Sequence, residues 1–313
     1  MTRLAMVRAI VHDHSLRLRP GAAAGTGDKA EYPPGSGNYY CDKPIGAQLL
    51  ALPGYILGYG LSKAAGAAHV VALSIGAIVA TWTASALPTL VLGLVFFALT
   101  GYFTECLTAR LLCTLLYCLG TLAWPYATLF FGHQAAAAAG FCALAAAYVA
   151  CLDTRKPGLW TALAGALAGL AVITEVPALI SYVAVAAFLG VCRGYRRLGL
   201  YIAASLPPVA LQLAYNWACF GSPLRFGYEF EASPEFARPA GWVSLPRPAV
   251  AVALLLSRDK GLLVFSPYLV FAAAGLILAL SVVVVALVVP VLSTAGARRD
   301  DAELVVAKSH MAG

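Results

Sequence analysis

An aspartate–lysine pair, Asp42 and Lys43, lies in the stretch YYCDKPIG, just before a long segment with few charges. Charged residues beside a membrane segment are costly unless they bind a partner, so the pair is a candidate for chemistry. A lysine ammonium is a compact charge that suits a phosphate, while its stem can lie on apolar surface. We expect Lys43 to contact a phosphate and Asp42 to orient a hydroxyl or pair with Lys43. An ordinary ion pair at a membrane boundary is the alternative interpretation.

Two further aspartates precede this pair. Asp28 repeats the aspartate–lysine pattern in GDKAEY, and Asp13 follows the apolar start of the chain. A carboxylate that reaches a bound substrate can remove the proton from an attacking hydroxyl. The candidate catalytic bases are therefore Asp42, Asp28 and Asp13, and a solvated loop is the alternative for Asp28.

Several other polar residues are candidates for substrate contacts. His133 closes WPYATLFFGH, and an imidazole there can bond a sugar or a phosphate near neutral pH. Glu175 stands alone in an apolar stretch, so we expect it to face the bundle interior or an aqueous surface rather than lipid. The predicted substrate contacts are Tyr40, His133, Glu175, Asn216 and Tyr228.

A basic cluster comes late in the chain, in SRDKGLLVFSP. Arg258 and Lys260 can stabilise a departing phosphate, because cationic donors form strong hydrogen bonds to its oxygens. A basic membrane flank is the alternative interpretation.

The composition indicates an integral membrane protein. The chain has 313 residues, of which 61% are hydrophobic and 11% charged, and its mean hydropathy is +0.82. The net charge of +7 is spread over short loops and both ends, which argues against a nucleic-acid partner and favours the lipid bilayer. The eight cysteines contain no CxxC pair, so we predict neither a metal nor another cofactor.

The charge-free windows predict an all-α polytopic fold with eight or nine hydrophobic helices. The small residues of 135–147 and 162–171 favour close helix packing. Pro88, Pro125, Pro177 and Pro290 are predicted helix ends or kinks. Segment 44–62 either crosses the membrane or lies along it. The predicted segments are 44–62, 66–84, 86–104, 109–124, 131–152, 158–175, 177–192, 198–217 and 267–292.

The basic loops predict the orientation and the domains. Loops 153–157, 193–197 and 297–301, together with Arg110, carry arginine or lysine and should face the cytoplasm. The other loops then share the opposite face, so the candidate residues cluster on one side. We predict a plasma (inner) membrane protein with an external loop and amphipathic helix at 1–43, a transmembrane domain at 44–293 that includes an external loop at 218–247, and a cytoplasmic tail at 294–313.

Three stretches resemble the GT-C group of polytopic glycosyltransferases, which includes protein mannosyltransferases and the aminoarabinose transferases of lipid A. They are TRLAMVRAIVHDHSLRLRP followed by YYCDKPIG, LGTLAWPYATLFFGH, and NWACFGSPLRFGY with DKGLLVFSPYL. The resemblance implies a GT-C-like fold, a polyprenyl-phosphate-linked sugar as donor, and a glycan, lipid or protein as acceptor. It also implies that Lys43 contacts the donor phosphate and that transfer occurs on the non-cytoplasmic face.

The chain departs from the family pattern at several positions. The family places an acidic base directly before an arginine that Arg3 would represent, whereas Met1 and Thr2 stand there in this chain. We therefore expect a chain truncated at both ends, a fragment that has lost its base. Ile45 replaces the second proline after the lysine, and Lys260 replaces an arginine, without the bidentate fork of arginine.

Two other classes of function remain open. A transporter or lipid-binding membrane protein would place buried ionisable residues in corresponding halves of the chain, near the membrane midplane. Glu175 has no counterpart in a second half, which favours the glycosyltransferase. A remnant that folds without transferring anything is the third alternative.

Overall fold

The computed structural model describes residues 2–152, 155–233, 247–258 and 261–278. The chain divides into two compact units, Met1–Leu245 and Pro246–Gly313. The first unit contains almost all of the candidate residues. The predicted tail at 294–313 and Pro290 lie outside the described residues.

Helices and one small sheet are the regular structure in the described part of the first unit, so the predicted all-helical class is confirmed. Strands β1 (Ala30–Glu31) and β2 (Tyr39–Tyr40) form that sheet. The helices are α1 (Thr2–Asp13), α2 (Pro20–Ala24), α3 (Gly46–Ala64), α4 (His69–Thr81), α5 (Leu87–Thr100), α6 (Leu107–Gly120), α7 (Ala123–Thr128), α8 (His133–Cys151), α9 (Pro157–Thr174), α10 (Leu179–Arg193) and α11 (Tyr195–Phe220). In the second unit, α12 spans Pro248–Leu256, α13 spans Leu262–Phe265, and an apolar helix covers Leu269–Leu278.

Five helices in the described ranges are long and apolar enough to cross a membrane. This agrees with a multi-pass membrane protein, although the predicted number was eight or nine. Helix α3 has the length but is not among the five, and α6 is too short. The five are His69–Thr100, His133–Cys151, Pro157–Thr174, Val176–Arg193 and Tyr195–Phe220.

Two segments predicted as separate helices form one run of 32 residues, His69–Thr100. A π-helical turn at Trp82–Ala86 joins α4 to α5. Such a turn re-registers the backbone hydrogen bonds, and it contains Ala84, the residue four before Pro88 whose carbonyl the proline ring would otherwise crowd. The hydroxyl of Thr89 donates to the carbonyl of Ser85 at 2.7 Å. The helix therefore continues through the proline.

The other predicted breaks differ in outcome. Pro177 lies in a short 3-10 turn between α9 and α10, so the predicted break is present. Pro125 lies in the first turn of α7 instead of ending a helix, and the break falls at Thr121 and Leu122. A proline in a first turn is tolerated because the N–H it lacks would have no helical partner there.

The bundle core is built from small residues, as their abundance predicts. Ala143, Ala147, Ala164 and Ala168 of α8 and α9 are buried against one another and against Tyr201 of α11. Short side chains let the helix backbones approach closely, which is the common packing mode within membranes.

Helix α1 lies against α3 and confirms the helix predicted at the start of the chain. The loop that follows folds into a hairpin, which the sequence did not predict. Ala30 pairs with Tyr40 and Glu31 with Tyr39 in antiparallel register, and Ala30 also bridges to Glu231.

Candidate functional site

The hairpin register brings the two aspartate–lysine pairs together. In an antiparallel pair the residues that precede one strand lie opposite those that follow the other, so extension of the Ala30–Tyr40 register places Asp28 opposite Asp42. The Lys43 ammonium bonds Asp42 Oδ2 and lies 3.7 Å from Asp28 Oδ2. It also lies 5.0 Å from the centre of the Tyr228 ring, within the range of a cation–π contact.

Lys43 and Asp42 differ in exposure. The Lys43 side chain is 25% exposed, whereas that of Asp42 is fully buried. Within the described residues, Asp42 Oδ1 has no hydrogen-bond partner. Burial raises the pKa of the Asp42 carboxyl, although the positive charge of Lys43 opposes that rise. Lys43 thus offers a partly accessible cation, and the buried Asp42 carboxylate holds it in place.

Glu231 is a third carboxyl at this cluster, and no sequence motif points to it. Its Oε1 accepts a hydrogen bond from the backbone N–H of Lys29 at 3.0 Å. Burial and the negative charge of Asp42 raise the pKa of Glu231 to about 7. Burial lowers the pKa of Lys43, but the charges of Asp42, Asp28 and Glu231 outweigh it and the net shift is upward. The position of Glu231 depends on its bridge to Ala30, which no local sequence pattern predicts.

A close approach of backbones holds the loop that carries Tyr228. A Cβ added at Gly227 would lie 2.5 Å from the Cα of Asp42 and 2.8 Å from its carbonyl oxygen. Only glycine allows this contact. Because Gly227 contacts the backbone of Asp42, the next residue, Tyr228, lies directly beside the aspartate–lysine pair.

A second ionic cluster joins three elements at the same end of the bundle. Arg3 Nη2 donates to Glu175 Oε1 at 2.7 Å, and His133 Nδ1 lies 3.3 Å from the same oxygen. Glu175 follows the last residue of α9, and His133 is the first residue of α8. Arg3 Nη1 is buried and finds no acceptor in the part of the chain that the structure describes. Glu175 therefore faces a charged partner and not lipid, in agreement with the sequence-based expectation.

Thr2 and Tyr228 connect the two clusters. The Thr2 hydroxyl donates to Asp28 Oδ1 at 2.7 Å, and the next residue is Arg3. Burial raises the pKa of Tyr228, and the negative charges of Glu175 and Asp42 raise it further. Tyr228 thus lies within the field of both carboxylates. We name the residues Arg3, Asp28, Asp42, Lys43, His133, Glu175, Tyr228 and Glu231 the ionic site.

Two predicted substrate residues take structural positions beside the ionic site. The ring of Tyr40 packs edge-on against Phe220 with ring centres 5.9 Å apart. The buried Asn216 amide donates to the Pro223 carbonyl at 2.9 Å and accepts from Gln212 at 2.8 Å. Gln212 in turn accepts from the backbone N–H of Ile45 at 3.0 Å. Asn216 thereby ties the end of α11 to the loop after Lys43, and its contact with a substrate stays a prediction.

One predicted catalytic residue, Asp13, is not brought to the ionic site. Asp13 lies at the other end of α1 from Arg3 and pairs with Arg19, with 2.6 Å between Oδ2 and Nε. Arg258 follows α12 in the second unit. Lys260 lies outside the described residues, so its predicted phosphate contact stays a prediction.

The described residues contain no group of three His, Cys, Asp or Glu side chains arranged to hold a metal ion. No family model matches the chain, and neither a curated protein nor a solved structure matches it.

Proposed function

We propose that the protein is a membrane glycosyltransferase that moves a sugar from a polyprenyl-phosphate donor to an acceptor hydroxyl on the non-cytoplasmic face. The observation that supports this most is the partly exposed Lys43 ammonium, held between Asp42 and Asp28 at one end of an apolar helical bundle. The resemblance of YYCDKPIG to the GT-C motif assigns the same lysine to the donor phosphate.

The chemistry requires a base, an electrophile and a stabilised leaving group. The acceptor hydroxyl loses its proton to a carboxylate, and its oxygen forms a bond to the anomeric carbon. The bond from that carbon to the phosphate oxygen breaks, and the electron pair leaves with the phosphate. Lys43 neutralises the developing charge, which is the main way such a site lowers the barrier.

Asp28 fits the base better than Asp42 does. Its side chain is 37% exposed, whereas the Asp42 carboxylate is fully buried and bonded to Lys43. Asp42 then serves as a positioning residue that holds the ammonium in place. Phosphate can take the position of Asp28 beside Lys43, which frees Asp28 to accept a proton.

The negative charges of the carboxyls around Lys43 repel an anion. Glu231 adds little to this repulsion when it is protonated. Because burial and the charge of Asp42 raise its pKa to about 7, Glu231 is largely neutral at mildly acidic pH. Arg3 contributes a second positive charge from the adjoining cluster. Donor binding should therefore strengthen as the pH falls from 8 to 6.

The transporter alternative lacks a comparable observation. Transport sites lie near the membrane midplane, between broken helices. Glu175, the ionisable residue that suggested this alternative, lies instead just beyond α9 and pairs with Arg3 at 2.7 Å. A lipid-binding protein without activity would bind the donor and transfer nothing, so it is an outcome of the test below.

The test begins with donor binding to the purified full chain in nanodiscs. We expect saturable binding of a polyprenyl-phosphate sugar that Lys43→Ala weakens tenfold or more, which is about 1.4 kcal/mol. Lys63→Ala is the matched control, because Lys63 is exposed at the end of α3 and donates only a long 3.3 Å bond to the Ala67 carbonyl. Absence of binding, or equal weakening by both variants, contradicts the donor site.

The second arm measures transfer of the labelled sugar to acceptors in a membrane extract. Asp28→Asn should retain donor binding within about threefold and lose transfer by about a hundredfold, because a general base contributes roughly 10²–10⁴ in rate. Donor binding without transfer by the unaltered chain would identify a lipid-binding protein. Full activity of Asp28→Asn would reject Asp28 as the base.

A further inference from the structure

A pocket lies along helix α1, from Leu4 to His12. It encloses about 400 Å³ between α1, the segment around α2 and the first residues of α4. Four basic or titratable side chains line it: Arg8, His12, Arg19 and His69. None of its lining residues belongs to the ionic site. It is therefore distinct from the ionic site.

The charge balance of this pocket is positive. None of its lining residues is acidic. Asp13, next to His12, pairs with Arg19 through the Nε and Nη2 atoms of the guanidinium. Burial lowers the pKa of His12, and the positive charges of Arg19 and His69 lower it further. Such mutual repulsion is relieved when an anion enters.

Arg8 has unused hydrogen-bonding capacity in the pocket. Its Nη2 makes a long 3.4 Å bond to the Leu73 carbonyl, and the guanidinium also interacts with the Tyr55 hydroxyl. Its Nε is buried and has no partner in the described ranges. A buried guanidinium N–H without an acceptor is unfavourable, so the position favours a ligand oxygen. The flat fork of arginine suits two oxygens of one phosphate.

Aromatic and polar contacts hold the imidazole rings in place. His12 Nε2 lies 2.9 Å from the Tyr55 hydroxyl, and its ring packs edge-on against Tyr59 at 4.6 Å. His69 Nδ1 lies 3.4 Å from the Tyr59 hydroxyl. The rings are thus pre-positioned, which reduces the entropy lost when a ligand binds.

We propose that this pocket is a second binding site, specific for a phosphate group that Arg8, Arg19 and His69 hold together. Leu4, Ala5 and Leu73 add an apolar wall beside the charges. His69 also begins the membrane-spanning candidate His69–Thr100. Both a free phosphate and a phospholipid headgroup offer the required chemistry.

The experiment measures phosphate binding to the full chain in the Lys43→Ala background, so that any phosphate held by the ionic site is removed. One arm uses inorganic phosphate and detergent-purified protein in equilibrium dialysis. The other uses nanodiscs with phosphatidic acid, with phosphatidylcholine alone as reference, and counts bound phosphatidic acid by native mass spectrometry. Binding in the first arm identifies a soluble phosphate, and binding in the second alone identifies a headgroup.

Three variants decide the outcome. Arg8→Gln should weaken binding tenfold or more. Ala22→Leu should do the same by filling the pocket while every charge stays in place. Arg17→Gln removes one charge from an exposed neighbour that does not line the pocket, and it should change binding less than twofold. Absence of saturable binding in both arms, or equal loss in Arg17→Gln and Arg8→Gln, overturns the proposal.

Discussion

The two ends of the helical bundle both carry arginine, but they use it differently. At the end where α10 meets α11, Arg193 donates to the backbone carbonyls of Ala150, Cys151 and Leu152 at 3.0, 2.7 and 2.7 Å. At the ionic site, Arg3 pairs with the Glu175 carboxylate. The first arginine completes a helix terminus, and the second belongs to a network of charged side chains.

This difference separates structural charges from candidate functional charges. The carbonyls at the end of α8 have no helical partner, and a cation there also complements the helix dipole. Arg110 behaves similarly, since it donates to the Phe97 carbonyl at 3.0 Å and lies over the Phe97 ring. At the ionic site, the cations Arg3 and Lys43 pair with carboxylates instead of backbone carbonyls. These buried charges need one another, and they leave an accessible ammonium at Lys43.

The comparison predicts that loss of Arg3 has the largest effect on stability. Arg3→Ala leaves the Glu175 carboxylate without its main partner, at a place where the two side chains are only 9% and 13% exposed. Breaking such a pair should lower the free energy of unfolding by about 3 kcal/mol. Arg193→Ala should cost about 1 kcal/mol, because its hydrogen bonds lie in part at the surface. Denaturant unfolding in detergent measures both, and equal losses would remove the distinction between the two ends.

A pair of glycine substitutions tests how tightly each end is packed. A Cβ at Gly132 would lie 2.1 Å from Arg3 Nη1, 2.5 Å from Glu175 Oε1 and 3.0 Å from the Thr174 carbonyl. Gly132→Ala should therefore destabilise the protein by about 1–3 kcal/mol.

Gly158→Ala is the matched control at the other end. Its Cβ would approach Arg197 Nη1 at 3.0 Å, and this flexible side chain can move away. The change should stay within about 0.5 kcal/mol of zero. A thermal-melting shift for Gly158→Ala as large as that for Gly132→Ala would show that the ionic site is no more constrained than the basic end.

A further prediction is a pH dependence that originates in the ionic site. Glu231 has a pKa of about 7 in the folded chain, against an ordinary value of 4.5. Protonated Glu231 favours the folded state, so this contribution is complete below pH 4.5 and is lost as the pH rises towards 7. Above pH 7 it no longer changes. Melting temperatures of the unaltered chain and Glu231→Gln, recorded from pH 4.5 to 8, should diverge over that interval. Parallel curves would exclude Glu231 as the titrating group.

Local sequence was sufficient for the class of protein and for most helices. Charge-free apolar windows are a property of neighbouring residues, and the predicted segments 131–152 and 158–175 differ by one or two residues from α8 and α9. The break at Pro177 is also local, because proline restricts its own backbone and that of the residue before it. The continuous run through Pro88 was not predictable in this way, since it depends on the π-turn before the proline.

The sequence by itself determined an apolar helical protein and indicated that Asp42, Lys43 and Glu175 are costly to leave without partners. Only the tertiary structure decided which charges meet. Hairpin register brought Asp28 to Lys43, the return of the chain after α11 brought Glu231 and Tyr228, and helix α1 brought Arg3 to Glu175. Hydropathy and helix breaks arise from interactions among near neighbours, whereas an ion pair across the fold depends on how distant elements pack. That packing determined the composition of the ionic site.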